Sequence, residues 1–358
     1  MDKKALIAMS GGVDSSVAAY LMKERGFDCL GVTMKLYNNE DIGISREKTC
    51  CSLDDIEDAR AVAFSLKMPY YVFNFKDDFE EKVIKKFIST YESGGTPNPC
   101  IDCNRYLKFK ALLHRAEELQ CGYVVTGHYA RVEYDEASGR YLLKKGIDET
   151  KDQSYVLYFL TQQQLAHIRF PLGNYRKSEI RKIAEENGFI NAAKRDSQDI
   201  CFVPDGDYAK FIEGHANKTY PKGDFVTTDG EILGQHNGII RYTIGQRKGL
   251  GIAYKEPLYV CSKDIEKNIV TLGNAESLLT KEVIANDINL ISVSSIAEPM
   301  KLKAKTRYNM KEQPCTAVQL DENTIKITFD EPQRAITVGQ ALVLYDGDTV
   351  LGGGTITG

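Results

Sequence analysis

The chain has 358 residues, too many for one typical core, so two or three domains are expected. Hydrophobic residues at 42% and charged residues at 27% fit a soluble globular protein, and a net charge of −4 excludes a globally basic nucleic-acid binder. No apolar run reaches membrane-spanning length, and Met1-Asp2-Lys3-Lys4 leads straight into a strand without signal- or transit-peptide features, so a cytoplasmic protein with no membrane association is expected.

Ala5-Leu6-Ile7-Ala8 reads as a buried strand, and the apolar-periodic run from Val17 to Met22 as a helix ending near Gly26. Between them lies Met9-Ser10-Gly11-Gly12-Val13-Asp14-Ser15-Ser16. A strand, a Gly-rich turn and a helix N-terminus make an anion site, because unpaired N–H groups and the positive end of the helix dipole converge there. Gly11 and Gly12 let backbone approach a phosphate, and Ser10, Ser15 and Ser16 add hydroxyl donors. The loop has neither the Gly-Lys-Ser/Thr ending of a P-loop ATPase nor G-x-G-x-x-G.

Strands at Ala5–Met9, Cys29–Met34, Tyr70–Phe75 and Tyr123–Thr126 alternate with helices at Ser15–Arg25, Leu53–Leu66, Phe79–Tyr91 and Lys108–Leu119. This rhythm predicts an α/β domain with a parallel sheet, ligand-binding beyond its strand C-termini. A hairpin follows, Tyr129–Tyr134 with Tyr141–Lys145, then a helical stretch from Ser154 to Asn187 with Gly188 as its C′ residue. From about Val203 the texture turns to short alternating runs such as Gly238–Ile244. From about Lys281 it is almost wholly strands, clearest at Thr324–Phe329, Gln340–Tyr345 and Val350–Ile356, which predicts a small antiparallel barrel or sandwich. Expected domain bounds are 1–202, 203–275 and 280–358. The loops Leu36–Thr49 and Ser93–Arg105 are long enough to be functional. Basic clusters such as Arg176-Lys177, Arg247-Lys248 and Lys301-x-Lys303-x-Lys305-x-Arg307 read singly as solvated faces, and together permit a polyanionic partner.

Nine cysteines in a chain of this kind point to reduced thiols, metal ligands or catalytic groups. Cys100-Ile101-Asp102-Cys103 follows Gly94-Gly95-Thr96-Pro97-Asn98-Pro99, whose prolines and glycines predict a stiff, non-helical display of both thiols. A helix starting near Tyr106 would aim its dipole at Cys103 and lower that thiol's pKa. The C-x-x-C fits a redox pair, half a zinc site or part of an iron–sulfur site, and no second C-x-x-C or finger-spaced histidine supports zinc. Cys201, in Asp196-Ser197-Gln198-Asp199-Ile200-Cys201-Phe202, reads equally as a functional or a buried structural thiol. Cys50-Cys51 is a weaker candidate. Cys29, Cys121 and Cys261 read as core.

SGGVDS resembles the pyrophosphate loop of ATP pyrophosphatases (adenine nucleotide alpha hydrolase-like folds). With it, in order, come GTPNPC-x-x-CN, Thr126-Gly127-His128-Tyr129-Ala130, Lys151-Asp152-Gln153-Ser154-Tyr155, the Asp196–Phe202 run, Gly245-Gln246-Arg247-Lys248-Gly249-Leu250, Arg307-Tyr308 and Val338-Gly339-Gln340. Together they resemble the tRNA-specific 2-thiouridylase (MnmA) family over nearly the full length. That resemblance implies a C-terminal tRNA-binding β-barrel, a central tRNA-contacting domain, and ATP-dependent sulfur transfer to C2 of the wobble uridine of tRNAs for Lys, Glu and Gln. It implies that Ala8, Met9, Ser10, Gly11, Gly12, Val13, Asp14, Ser15, Met34 and Gly127 hold ATP. Cys103 would be the nucleophile and Cys201 the persulfide carrier. Asn98, Pro99 and Cys100 would line the target base, and His128, Lys151, Asp152, Gln153, Arg307, Tyr308 and Gln340 would touch tRNA. Mg²⁺ near Asp14 and a sulfur-donor protein, either a cysteine desulfurase or a relay carrier, complete the expectation.

One departure divides the mechanism. Most family members carry Asp where this chain has Cys100, so Cys100, Cys103 and Cys201 make three candidate thiols. In one reading Cys201 is persulfidated and a Cys103–Cys201 disulfide results. In the other the three thiols hold a [4Fe–4S] cluster with one iron open to sulfide. Two further readings keep part of the pattern: another ATP-dependent thiolase (4-thiouridine or 2-thiocytidine) or amidating ATP pyrophosphatase, and a non-catalytic RNA- or cluster-binding protein. Amidation has no use for the two cysteines, and a mere binder has none for an ATP loop.

Overall fold

The computed structural model describes residues 3–38, 53–196 and 200–358. Cys50, Cys51, Ser197, Gln198 and Asp199 lie outside them. The first unit is a five-stranded parallel sheet built from β1 (Lys4–Ala8), β2 (Asp28–Lys35), β3 (Tyr70–Asn74), β4 (Tyr123–Val125) and β7 (Ile168–Arg169), in the order β3-β2-β1-β4-β7. β1 is central and covered on both faces, which is why it reads as an unbroken apolar run: Ala5, Leu6 and Ile7 are fully buried. The chain leaves β1 toward β2 on one side and returns to β4 on the other, so a crevice opens beyond the C-terminal ends of β1 and β4. Helix Val13–Glu24 covers the sheet with Val13, Val17, Ala18, Leu21 and Met22. It stops at Arg25, where Gly26 takes φ +75°.

Three sequence expectations are corrected. The stretch 154–187 is not one helix. It contains a 3₁₀ turn at Ser154–Leu157, a helix at Gln162–Ala166, β7, and a helix at Lys177–Glu186 ending before Gly188 at φ +64°. Gly238–Ile244 is not a strand; Ile239–Arg241 form a 3₁₀ turn flanked by Gly238 and Gly245 at φ +103° and +87°. The C-x-x-C segment is not a non-helical display. Pro99 opens a helical run spanning 99–118, because proline at the first helical position gives up only an N–H that has no partner there.

The hairpin β5 (Ala130–Asp135) and β6 (Arg140–Lys145) extends the third unit rather than the first sheet, β6 pairing with β17 (Thr349–Ile356) through Thr349↔Lys144 and Val350↔Leu143. That third unit is a closed six-stranded barrel of β12 (Leu279–Leu290), β15 (Thr324–Arg334), β14 (Gln313–Gln319), β13 (Met300–Lys305), β16 (Ala341–Asp346) and β17, closed by the β12–β17 pairing. Alternating residues such as Val283, Ala285, Ala304, Ala317, Ile327, Leu342 and Leu344 fill it. The middle unit is a four-stranded sheet, β10-β11-β8-β9, from β8 (Gly223–Thr227), β9 (Ile232–His236), β10 (Tyr259–Asp264) and β11 (Ile269–Gly273). Its core, Phe225, Val260, Val270 and Leu272, is continuous with the apolar face of helix 76–92. Residues 154–160 plug the space between helix 99–118 and the barrel, and Tyr155 Oη donates to Ala341 O at 2.8 Å.

Candidate active site

The phosphate loop is built at the crevice. Met9 N donates to Val32 O at 2.8 Å, which fixes the exit of β1. Gly11 then turns with φ +73°, and a Cβ there would run into the backbone of Asp55 on the helix Leu53–Ser65. Ser15 Oγ donates to Gly12 O at 3.0 Å and accepts from Ser10 N at 3.1 Å, so the turn is pre-organised around its own hydroxyls. Asn191 Nδ2 and Lys194 Nζ hold Gly11 O from outside at 2.9 and 3.2 Å, and Lys194 is itself held by Asp55 and Asp58. From the other side of the crevice Gly127 closes in; a Cβ there would lie 2.9 Å from Asp14 C and Ser15 N. Ala8 and Met34 flank the loop as half-buried members of the core. Replacing Gly11 with alanine is expected to cost about 1–3 kcal/mol in backbone strain alone, with added cost from the Asp55 clash. Urea unfolding checks this, and an unchanged midpoint would contradict the close approach.

Asp14, at the second position of the helix, is the loop's one acidic side chain. Lys177 Nζ donates to both of its oxygens at 2.8 Å, and Tyr129 Oη donates to Oδ1 at 2.7 Å. The same ammonium reaches Asp196 Oδ1 at 2.8 Å, where Arg181 also binds at 2.9 Å, while Lys151 takes Oδ2 at 2.8 Å. Burial raises the Asp196 carboxyl, but the Lys151 and Lys177 contacts outweigh it and hold it at about 2. Lys177 was read only as part of a basic cluster with Arg176, and no sequence pattern tied Lys177, Arg181, Asn191 or Lys194 to the phosphate loop; the first two fall in the stretch read as one long helix, the last two beyond it.

The Asp14 carboxylate is thus already neutralised by Lys177, and among the described residues no three His, Cys, Asp or Glu side chains gather as a metal-binding group. The arrangement offers no ready-made Mg²⁺ cage. The three-thiol site fares likewise. Cys100 is exposed, Cys103 and Cys201 are half-buried, and they do not form a metal-binding group. As placed in this structure, the three thiols are not gathered to hold a [4Fe–4S] cluster.

Cys103 and Cys201 nevertheless share one apolar cluster. Both pack against the core that contains Phe79, Phe87, Leu107 and Phe202. Cys201 is placed by its neighbours: Phe202 lies edge-on to Phe79 and Phe87 with centroids 5.6 and 5.2 Å away, and Tyr37 Oη donates to Cys201 O at 3.0 Å. Cys103 begins the π-helical stretch Cys103–Ala111 inside the 99–118 run, a distortion often found where a helix serves a site. The expected dipole activation is corrected: Cys103 lies a full turn inside the helix, and burial pushes its thiol up to about 11, Lys108 opposing. Alkylation of Cys103 is therefore expected to rise about tenfold per pH unit from pH 7 to 10, with no plateau below that, because only the thiolate reacts. A plateau near pH 8 in site-resolved mass spectrometry would contradict it.

The residues assigned by resemblance to tRNA have internal partners. His128 is 7% exposed, packed between Phe109 and Phe170 and bonded to Thr126 Oγ1 at 2.6 Å; burial lowers its pKa well below the usual value. Gln153 Oε1 accepts from Tyr129 N at 3.0 Å, and Asp152 accepts from Gly146 N, Ser154 N and Ser154 Oγ. Arg307 Nη2 spans Ile244 O, Ala335 O and Thr337 Oγ1 at 3.1, 2.9 and 2.6 Å. Tyr308, 37% exposed, donates to Asp152 O at 3.0 Å. Pro99 is buried and Asn98 half-buried beside exposed Cys100.

Comparison with known proteins follows the three units. A family model described as "tRNA methyl transferase HUP domain" matches residues 3–205, "tRNA methyl transferase PRC-barrel domain" matches 209–274, and "Aminomethyltransferase beta-barrel domain" matches 280–356. The chain is 52% identical over 356 residues to tRNA-specific 2-thiouridylase MnmA of Clostridioides difficile, covering 99% of this chain and 98% of that protein. It is 50% identical over 356 residues to the protein of the same name from Clostridium acetobutylicum, covering 99% and 100%. Among solved structures it is similar to a 4-thiouridine synthetase in complex with RNA and ATP, at 20% identity, with a TM-score of 0.35 and coverage of 60% of this chain and 50% of that one. The three matched units define a chain built from a HUP domain, a PRC-barrel domain and a C-terminal β-barrel. The chain belongs to the tRNA-specific 2-thiouridylase (MnmA) family.

Among the described residues no helix is long and apolar enough to cross a membrane.

Proposed function

We propose that this protein is a tRNA-uridine 2-sulfurtransferase that uses ATP to replace O2 of the wobble uridine in tRNAs for Lys, Glu and Gln with sulfur. The observation that carries the reading is the gathering of Cys103 and Cys201 on one apolar cluster, in the domain whose first loop is a phosphate cradle. A carbonyl oxygen is a poor leaving group. Attack of the uridine O2 on the α-phosphorus of ATP, in the crevice beyond the C-terminal ends of β1 and β4, expels pyrophosphate and leaves an adenylate whose AMP departs readily. The terminal sulfur of a persulfide on Cys201 then attacks C2 and AMP leaves, forming a C2–S–S–Cys201 link. Cys103, as thiolate, attacks the Cys201 sulfur; the S–S electrons pass to the C2 sulfur, and a Cys103–Cys201 disulfide remains for an external thiol to reduce. A sulfur-donor protein, a cysteine desulfurase or a relay carrier, recharges Cys201. The uridine lies in an anticodon loop, so it enters the pocket without melting a helix.

Asn98, Pro99 and Cys100 would line the flipped base at the mouth of helix 99–118. Lys151, Tyr308 and the exposed barrel face would receive the tRNA backbone in the cytoplasm. The high pKa that burial gives Cys103 keeps it protonated at rest, which protects the persulfide until the substrate is seated. Measuring AMP and pyrophosphate release with and without unmodified tRNA tests the reading. Release that depends on tRNA is expected. Release in equal amount without tRNA, or with ammonia as the acceptor, would point to an amidating or non-thiolating enzyme.

A further inference from the structure

The C-terminal barrel reaches back to the segment that carries the cysteines. The turn between β15 and β16 lies against residues 94–98, which lead into the helix bearing Cys100 and Cys103. Thr96 N donates to Val338 O at 2.9 Å. Gln340 Nε2 donates to Thr96 O at 2.8 Å and Pro97 O at 3.3 Å. The approach leaves no room for larger residues: a Cβ on Gly339, itself at φ +89°, would sit 3.2 Å from Thr96 O, and one on Gly95 would sit 3.1 Å from Val338 O. The turn is anchored in the barrel wall, where Gly339 N donates to Ile356 O and Ile356 N donates to Gln340 O at 2.9 and 2.8 Å. Arg307 stiffens its other end by bonding to Ala335 O and Thr337 Oγ1, and ties both to Ile244 of the middle unit.

We propose that Gln340 is a positioning residue for the reaction: it clamps Thr96 and Pro97 to the barrel and thereby sets where Cys103 presents its sulfur. The inference rests on the reading of Cys103 as the nucleophile. The amide NH₂ supplies both donors to two carbonyls that no helix or strand satisfies, because residues 94–98 belong to neither. Carbonyls cannot be held by a carboxylate, so Gln340→Glu keeps the shape and removes the clamp.

The test uses the full chain with Gln340→Ala and Gln340→Glu. Iodoacetamide alkylation of Cys103 and Cys201 is followed site by site in mass spectrometry, without tRNA. Loss of the hydrogen bonds is expected to raise the Cys103 rate about tenfold in both variants through local opening, with the Cys201 rate unchanged. Single-turnover thiolation by persulfide-loaded protein at saturating tRNA is expected to fall on the order of 100-fold, a loss that more tRNA does not restore. The proposal is overturned if the tRNA Kd weakens while the rate at saturation is retained, since Gln340 would then serve tRNA binding alone. It is equally overturned if Cys103 alkylation is unchanged, or if both cysteines become more reactive together, which reports global loosening. The alkylation readout needs no activity, so an active Cys103→Ser protein would sink the reading of Cys103 as nucleophile without touching the clamp.

Discussion

Replacing Lys177 with methionine is expected to destabilise the folded chain by about 3 kcal/mol and to abolish AMP formation. The side chain is 10% exposed and its ammonium is the shared cation of two carboxylates, Asp14 at the phosphate loop and Asp196 at the start of the run to Cys201. Methionine fills most of the volume but leaves two half-buried acids with one cation fewer, and removing the nearly buried partner of an ion pair costs more than the pair contributes. Asp196 keeps Lys151 and Arg181; among the described residues Asp14 keeps only the Tyr129 hydroxyl, so the damage falls on the ATP loop. The pH dependence has a defined sign. The Asp196 carboxyl is held at about 2, below its unfolded value, so its stabilisation is present above about pH 4 and is lost as pH falls through 2. Urea unfolding at pH 7 and at pH 3, with AMP release measured beside it, checks both halves. A Lys177→Met protein with the parent midpoint and the parent AMP rate would remove the network from the account.

Cys103→Ser and Cys201→Ser are each expected to lower thiolation by at least about 10⁴-fold while leaving tRNA-dependent pyrophosphate release largely intact. A hydroxyl cannot carry persulfide sulfur, and at neutral pH it cannot cleave a disulfide. The two act as a unit, so the double variant should be no worse than either single one. Cys100 is exposed, beside Pro99 at the helix start, and among the described residues no metal-binding group includes it. Cys100→Ser should therefore keep most activity with no dependence on iron. Thiolation assays with a chemical persulfide donor, alongside iron determination on anaerobically purified protein, decide the matter. Parallel loss of iron and activity in Cys100→Ser would restore the cluster reading.

The phosphate loop was legible in the sequence because every part of it is local. A central strand buried on both faces is an unbroken apolar run, and Gly11 is required at φ +73° whatever surrounds it. The barrel was legible through its alternation and turn residues. The helix bearing Cys103 was misplaced because Pro97 and Pro99 were weighed as breakers, although Pro99 occupies the one helical position that favours proline. β7 has two residues and no pattern of its own; it is a strand only because β4 lies beside it. The Asp14–Lys177–Asp196 network and the Gln340 clamp join residues 163 and 244 positions apart, and nothing near any of them in sequence marks the pairing. Raising of the Cys103 pKa was likewise invisible, since it follows from what the folded helix is buried against.

The central claim is tested most directly by a single turnover of iron-free protein, loaded with persulfide on Cys201, with ATP and unmodified tRNA bearing a wobble uridine. AMP is measured in the reaction mixture before digestion and nucleosides after it, both by mass spectrometry. The account predicts one equivalent each of 2-thiouridine at the wobble position and AMP per loaded Cys201, with a Cys103–Cys201 disulfide in the spent enzyme. AMP without thiolated product, 4-thiouridine or 2-thiocytidine in its place, or thiolation only after iron is restored would contradict it.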